Sequence, residues 1–386
     1  MSGFEHSIIY LFLFFIFFIW AKNGVSIKNH SDYWLSALLP IAVYSIITGS
    51  RYGWGPDYLW YKSRLENPLK FSEEQLGFKW LNQGINLLGF DYVGGYIIYS
   101  FIFITCVFVL IRSYRSISVY MYYFVIPATL IFVTSAIRQG VALSFVILAL
   151  YFLNKKKWLG VASCILIGST IHSSILLTAV FIGAVYFFIK QPLNWKITIP
   201  AYLYFTFIFD SKSVAVISVY LEKYVSLDNS FQTYIDNSDV WFGNEGLNVI
   251  YQQSQFALIS SSLFYISIIY IGYFALKYKP NPQILYIYNV VVLGILFYKA
   301  TFLYEILRRI AEPMLMLYFI VLGYSFFVIV EMKKNKRVGV FNKQKTLKSP
   351  LLSNYKFFVG CIVFYLILFW GRFIFLNPSA IFYWDK

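Results

Sequence analysis

The sequence predicts an all-α protein, a polytopic membrane helical bundle of about 12 transmembrane helices with short amphipathic helices in two external loops. Three observations carry that prediction. The 386 residues are 59% hydrophobic and only 13% charged, far from soluble globular usage. The apolar residues fall in many long runs, each about as long as a hydrocarbon core is thick when wound as a helix. The basic residues concentrate in alternate connections between those runs, as the positive-inside rule requires of a multi-pass protein.

In chain order the runs cover 5–21, 33–49, 92–111, 118–134, 137–153, 158–172, 174–190, 196–210, 254–276, 283–299, 307–330 and 356–376. Residues 136–173 set the pattern. One run leaves Arg138-Gln139 and ends at Lys155-Lys156-Lys157; a second leaves that triplet and ends at His172. At 1.5 Å per residue each covers about 22–26 Å, so the pair reads as a membrane hairpin with lysines at one water boundary and Arg138 and His172 at the other. Pro127, Pro200 and Pro313 fall inside runs, where neighbouring helices can compensate the lost backbone bonds. Met1–Ser7 carries Glu5 but no Lys or Arg, and no small-residue cleavage site follows Trp20, so the first run is expected to be retained.

Alternation places Lys22, Lys28, Arg112, Arg115, Lys155–Lys157, Lys190, Lys196, Lys277, Lys279 and the basic 331–356 loop on one side. That side holds 19 of the 32 basic residues but, of the 17 acidic ones, only Asp32 and Glu331. It is predicted to be cytoplasmic, with both termini on the other side. The formal charge of +15 is thereby assigned to topology, and a nucleic-acid partner has no support; membrane lipids are the expected surroundings. Cys106, Cys164 and Cys361 each lie inside an apolar run and read as small buried hydrophobes, with no disulfide frame, metal site or thiol chemistry expected. Walker, GxSxG, HExxH and paired CxxC patterns do not occur in the sequence. ATP-driven transport, serine hydrolysis and zinc chemistry are therefore unsupported, and no metal or cofactor is expected.

Two external loops are long, 50–91 and 211–253. In the first, Ser72-Glu73-Glu74-Gln75 forms a capping box ahead of a short helix with Leu76, Trp80, Leu87 and Leu88 as its apolar stripe. In the second, Val214, Ile217, Leu221 and Tyr224 keep a helical period. The tip beyond them mixes Asp, Asn and Gln with aromatic rings, a combination suited to sugars and common in polar loops generally.

The candidate chemistry gathers at the non-cytoplasmic side: Arg51, Asp57, Arg138, Gln139, His172, Glu305, Arg308, Arg309 and Glu312. Arginines on this side oppose the topological rule, so they are either headgroup anchors or part of a site. A guanidinium cluster suits a polyanion, because it forms parallel bonds to phosphate and stays charged. At a lipid boundary that polyanion is the diphosphate of a polyprenyl-linked substrate. Adjacent helical residues point about 100° apart, so one of Arg308 and Arg309 is expected to face the cavity; Glu312 can pair with Arg308 at i+4. Asp57 follows the Gly53-Trp54-Gly55-Pro56 turn, and either it or His172 could serve as a base.

Three segments resemble the EpsG family of bacterial exopolysaccharide proteins, related in role to Wzy-type polymerases. Arg51-Tyr52-Gly53-Trp54-Gly55-Pro56-Asp57-Tyr58 with Tyr61 is similar to the family's Arg-x-x-x-Gly-x-Asp-Tyr-x-x-Tyr segment, with Pro56 where threonine is common. Glu74-Gln75-Leu76-Gly77-Phe78 resembles its Glu-x-Gly-Phe stretch with one residue inserted, and Arg138-Gln139 with Ala142 is followed at distance by His172-Ser173-Ser174.

The resemblance implies a glycosyltransferase of the bacterial cytoplasmic membrane. Such a polymerase moves a growing glycan from its polyprenyl diphosphate carrier to a lipid-linked oligosaccharide repeat unit; it needs no nucleotide, and a metal is not obligatory where guanidinium groups neutralise the diphosphate. Arg138 and Arg308 or Arg309 are then expected on the diphosphate and Arg51 on a second phosphate. Asp57 or His172 is expected as base, and Gln139, Tyr58 and Glu312 as orienting residues. A chain-length regulator protein is a further candidate partner. A lipid-linked oligosaccharide flippase and a ligase that hands the finished glycan to another acceptor are the alternatives. The single membrane domain is expected to span 1–386.

Overall fold

A computed structural model describes residues 3–24, 27, 29–53, 57–71, 75–210, 254–302, 305–338, 350–375 and 381–382. The expected helix at 214–224, the sugar-suited tip and most of the 72–75 capping box lie outside them. The described elements are α1 (Gly3–Gly24), α2 (His30–Gly49), β1 (Arg51–Tyr52), α3 (Tyr58–Glu66), α4 (Leu76–Leu87), α5 (Tyr92–Arg112), a 3-10 turn (Arg115–Ile117), α6 (Ser118–Thr134), α7 (Ile137–Asn154), α8 (Trp158–Ile171), α9 (Ser174–Phe188), α10 (Trp195–Phe207), α11 (Gln255–Tyr278), α12 (Pro282–Ala300), α13 (Glu305–Met316), α14 (Tyr318–Val338), α15 (Pro350–Phe375) and β2 (Ile381–Phe382). The helices α14 and α15 reach into the 331–356 stretch that the sequence marks as a loop.

Every one of the 12 expected runs contains a helix, and length and composition alone mark a smaller number of them as membrane spans. Among the described residues seven helices are long and apolar enough to cross a membrane: Tyr92–Arg112, Arg115–Thr134, Ile137–Asn154, Gln255–Tyr278, Pro282–Ala300, Leu307–Asn335 and Leu352–Gly371. Trp158–Ile171 and Ser174–Phe188 are apolar but shorter, and α1, 22 residues long, is apolar over Ile8–Gly24. The helix α10 has 13 residues, about 20 Å of rise against a core of about 30 Å. The 20-residue helix α2 carries Asp32 in its first turn and Pro40 in its interior.

The described chain forms two compact units. Unit 1 comprises Met1–Gly183, Tyr318–Val340 and Leu366–Lys386; unit 2 comprises Ala184–Leu317 and Phe341–Tyr365. In unit 1, α5 packs against α2 and α7, α7 against α8, and α6 against α1 and α14. These helices are apolar all round, as a buried helix must be, so polar side chains set the register. The Tyr33 hydroxyl donates to Phe108 O at 2.7 Å, and that of Tyr44 to Thr129 Oγ1 at 2.9 Å. Close approach of α6 to α7 depends on Gly140, where a Cβ would sit 2.1 Å from Phe132 O. The strand β1 pairs antiparallel with β2, Arg51 opposite Phe382.

In unit 2, α12 starts with Pro282 at its first turn and Asn281 as cap, accepting from Gln283 N and Ile284 N, the combination that nucleates a helix. The Asn289 side chain ties α12 to the approach of α10, accepting from Leu193 N at 2.9 Å and donating to Gln191 O at 3.0 Å. Tyr202 on α10 donates to Ser262 on α11 at 3.1 Å. Cys106, Cys164 and Cys361 are buried thiols, as expected.

Candidate functional site

The elements β1, α3 and α4 form a layer over one end of the unit 1 bundle. That layer touches the start of α7 at Arg138 and the end of α8 at Thr170. Tyr61 on α3 accepts from the Arg138 backbone N–H at 3.3 Å, at the start of α7. Phe78 on α4 packs against Tyr61 and Tyr99, ring centroids 6.0 and 5.7 Å apart. Beside it Gly77 meets α8: a Cβ there would lie 2.2 Å from Thr170 Oγ1, two residues before His172. The face of α4 that packs is Phe78, Asn82 and Ile85, and the Tyr99 hydroxyl donates to Asn82 Oδ1. The expected stripe of Leu76, Trp80, Leu87 and Leu88 is the exposed face; in a membrane-associated helix apolarity marks what faces away from the protein as much as what faces it.

The two arginines of this end have opposite environments. Arg51 is 1% exposed. Its Nη1 donates to Thr48 O at 2.5 Å and its Nη2 to Thr134 O at 3.2 Å, joining the ends of α2 and α6. The guanidinium carbon lies 5.5 Å from the Tyr96 ring centroid, and Tyr96 stacks on Tyr58 at 5.0 Å. Burial pushes the guanidinium down to about 10, while the Tyr96, Tyr10, Tyr58 and Tyr44 phenols act to raise it; it remains a cation at neutral pH. Burial likewise pushes the Tyr58 phenol up. Arg51 and Tyr58 are thus turned into the protein, whereas the sequence placed both on substrate.

Arg138 is half-buried, and among the described residues its side chain makes no ion pair or hydrogen bond; Nε is buried without a partner. Its guanidinium lies 5.6 Å from the Trp60 ring centroid. A second guanidinium, Arg64, packs on the same ring at 3.1 Å and donates to Trp60 O at 3.3 Å. Two cations on one indole form a positive cluster that sequence reasoning missed. The signal was available, since Arg64 follows Trp60 at i+4, the spacing that brings helical side chains together.

Asp57 precedes α3, half-buried, and its carboxylate does not cap the helix. Its carbonyl oxygen accepts from Tyr61 N at 3.0 Å, whereas its carboxylate makes no hydrogen bond or ion pair among the described residues. His172 closes α8; its Nδ1 faces Ser174 N at 3.3 Å and Ser174 Oγ at 2.8 Å. A backbone N–H can only donate, so Nδ1 accepts and the neutral ring carries its proton on Nε2. Gln139 is buried behind Arg138. Alongside this end, Gly77, Trp80, Ile102, Val141, Leu166 and Thr170 contribute to an apolar recess of about 440 Å³.

Arg308, Arg309 and Glu312 belong to unit 2. Arg308 Nε donates to Glu312 Oε1 at 3.2 Å, the expected i+4 pair, with the two side chains 24% and 11% exposed. Arg309 is half-buried, and the side chain of Glu305 lies outside the described residues. Among the described residues no cluster of His, Cys, Asp and Glu could hold a metal ion.

The chain matches the family model described as the EpsG family over residues 33–383. No curated protein and no solved structure matches it. A family match over nearly the whole chain, joined to several apolar membrane-length helices, identifies a multi-pass membrane protein that belongs to the EpsG family.

Proposed function

We propose that this protein is a polysaccharide polymerase, a glycosyltransferase working at the non-cytoplasmic face of a bacterial cytoplasmic membrane. It transfers a growing glycan from polyprenyl diphosphate to a hydroxyl of a lipid-linked repeat unit. The observation that carries the reading is the pairing of two uncommitted groups on one layer: the half-buried Arg138 guanidinium against Trp60, and the Asp57 carboxylate at the start of the same helix. A half-buried arginine without a counter-ion is costly inside a membrane protein and is retained where an anionic ligand completes it.

In the reaction, the acceptor hydroxyl oxygen bonds to the anomeric carbon, and the bond from that carbon to the diphosphate oxygen breaks. The bonding pair leaves with the diphosphate, whose growing charge Arg138 and Arg64 neutralise. The hydroxyl proton passes to Asp57, the base. His172, with Nδ1 engaged by Ser174, presents an N–H and acts as a donor, which favours Asp57 over it as the base. Arg51 pins α2 to α6 beneath the site, and Gln139 and Tyr58 pack the layer that positions it. The apolar recess beside α4 would take part of the isoprenoid chain, because the diphosphate it carries would sit at the adjoining end of α7.

The test is reconstitution of the purified protein with a lipid-linked repeat unit. Glycan ladders that lengthen with time, with stoichiometric release of polyprenyl diphosphate, are expected. Transfer only onto a different acceptor would make the protein a ligase, and movement of the lipid across the bilayer without new glycosidic bonds would overturn the reading in favour of a flippase.

A further inference from the structure

Unit 2 contains a cation that the site above does not use. Lys299, in the last turn of α12, is 4% exposed. Among the described residues no carboxylate pairs with it, and its Nζ makes no hydrogen bond to the carbonyls that close the helix. Its one recorded partner is the ring of Phe302, 5.1 Å from Nζ to the centroid. The Arg308 guanidinium carbon lies 5.9 Å from the centroid of the same ring. Two cations from consecutive helices therefore approach one aromatic side chain, and among the described residues the carboxylate paired with either of them is Glu312, on Arg308. The aromatic surroundings continue through Tyr298, whose ring lies 6.3 Å from that of Tyr265 and 5.8 Å from that of Phe302.

We infer that Lys299 and Arg308 form an anion-binding site within unit 2, built to take a diphosphate. A lysine this deeply buried is stabilised as a cation only by a matching negative group, and the Phe302 ring supplies a fraction of what a carboxylate would. A diphosphate bridging Nζ and the guanidinium would satisfy both cations and leave Glu312 to orient Arg308. The identification of the ligand rests on the polymerase reading. A polymerase must hold two lipid diphosphates at once: that of the donor, which departs, and that of the acceptor, which stays attached to the product. The Arg138 cluster of unit 1 serves one, and the Lys299 site serves the other. Anion binding itself does not depend on that reading.

The experiment measures binding of radiolabelled farnesyl diphosphate, and separately of inorganic pyrophosphate, to the full-length protein in nanodiscs. Lys299→Met is expected to remove one bound diphosphate per chain or weaken it at least tenfold. Lys299→Arg is expected to restore it, because charge is kept. Should Lys299→Met fail to fold, Arg308→Gln must show the same tenfold loss. Wild-type stoichiometry and affinity in a folded Lys299→Met or Arg308→Gln protein overturn the proposal. Equal binding of pyrophosphate and farnesyl diphosphate supports an anion site while overturning its assignment to a lipid-linked ligand. Loss of one equivalent in a protein that makes no polymer leaves the site standing and removes the polymerase reading.

Discussion

Arg51 offers the sharpest test of how the site is held, because sequence and structure give it different jobs. In the structure it donates to Thr48 O and Thr134 O and packs over Tyr96. Hydrogen bonds from a charged group are each worth about 1.5–3 kcal/mol, and a desolvated cation–π contact about 2 kcal/mol. Replacement by alanine loses these and opens a cavity, which typically costs about 2–5 kcal/mol for a large buried side chain. Relief from burying the guanidinium returns several kcal/mol. The net expectation for Arg51→Ala is a destabilisation on the order of 3–5 kcal/mol. For a folded body of this size that lowers the melting midpoint by on the order of 10 °C. The assay is thermal unfolding of the purified variant in detergent, with chain growth measured well below the midpoint. Arg51→Lys should fall between, since a single ammonium cannot serve two carbonyls in the fork geometry of arginine. A variant that melts as the wild type does but has lost turnover would refute the reasoning and return Arg51 to the substrate.

Other substitutions probe the site from different sides. Asp57→Asn removes the base without changing size and should cut chain growth by about 10²–10⁴-fold at unchanged stability, checked by glycan ladders and melting. His172→Asn should cost less than Asp57→Asn in the same assay; the reverse order would give the base to His172. Gly140→Val should destabilise more than Arg51→Ala, since a Cβ already falls 2.1 Å from a main-chain oxygen of α6, and should be visible as loss of folded protein on size exclusion. Gly77→Val should lower activity more than stability, because it lifts α4 from Thr170 near His172; a variant with wild-type turnover would detach α4 from the site.

Much of this architecture was legible in the chain. Hydrophobic runs located the helices, since a helix in lipid must satisfy its backbone internally and shows as an uninterrupted apolar stretch. The segment from Arg51 to Tyr61 stood out as a candidate because its charges sit where topology does not want them. Direction was not legible. Whether Arg51 faces ligand or core depends on the Thr134 carbonyl, 83 residues away in sequence, and no local pattern encodes that. Lys299 was read as the edge of a span, where a lysine is ordinary; only packing shows that it is buried beside Phe302. The stripe on α4 misled for a related reason, because apolar residues in this chain face outward as readily as inward.

The most direct measurement of the central claim is chain growth by purified Arg138→Ala and Arg138→Lys proteins supplied with a lipid-linked repeat unit. If the Arg138 guanidinium neutralises the departing diphosphate, the alanine variant loses polymerisation by about 10²-fold or more. The lysine variant retains a part of it, and both fold as the wild type does. Ladders of wild-type length and rate from the alanine variant would contradict the account.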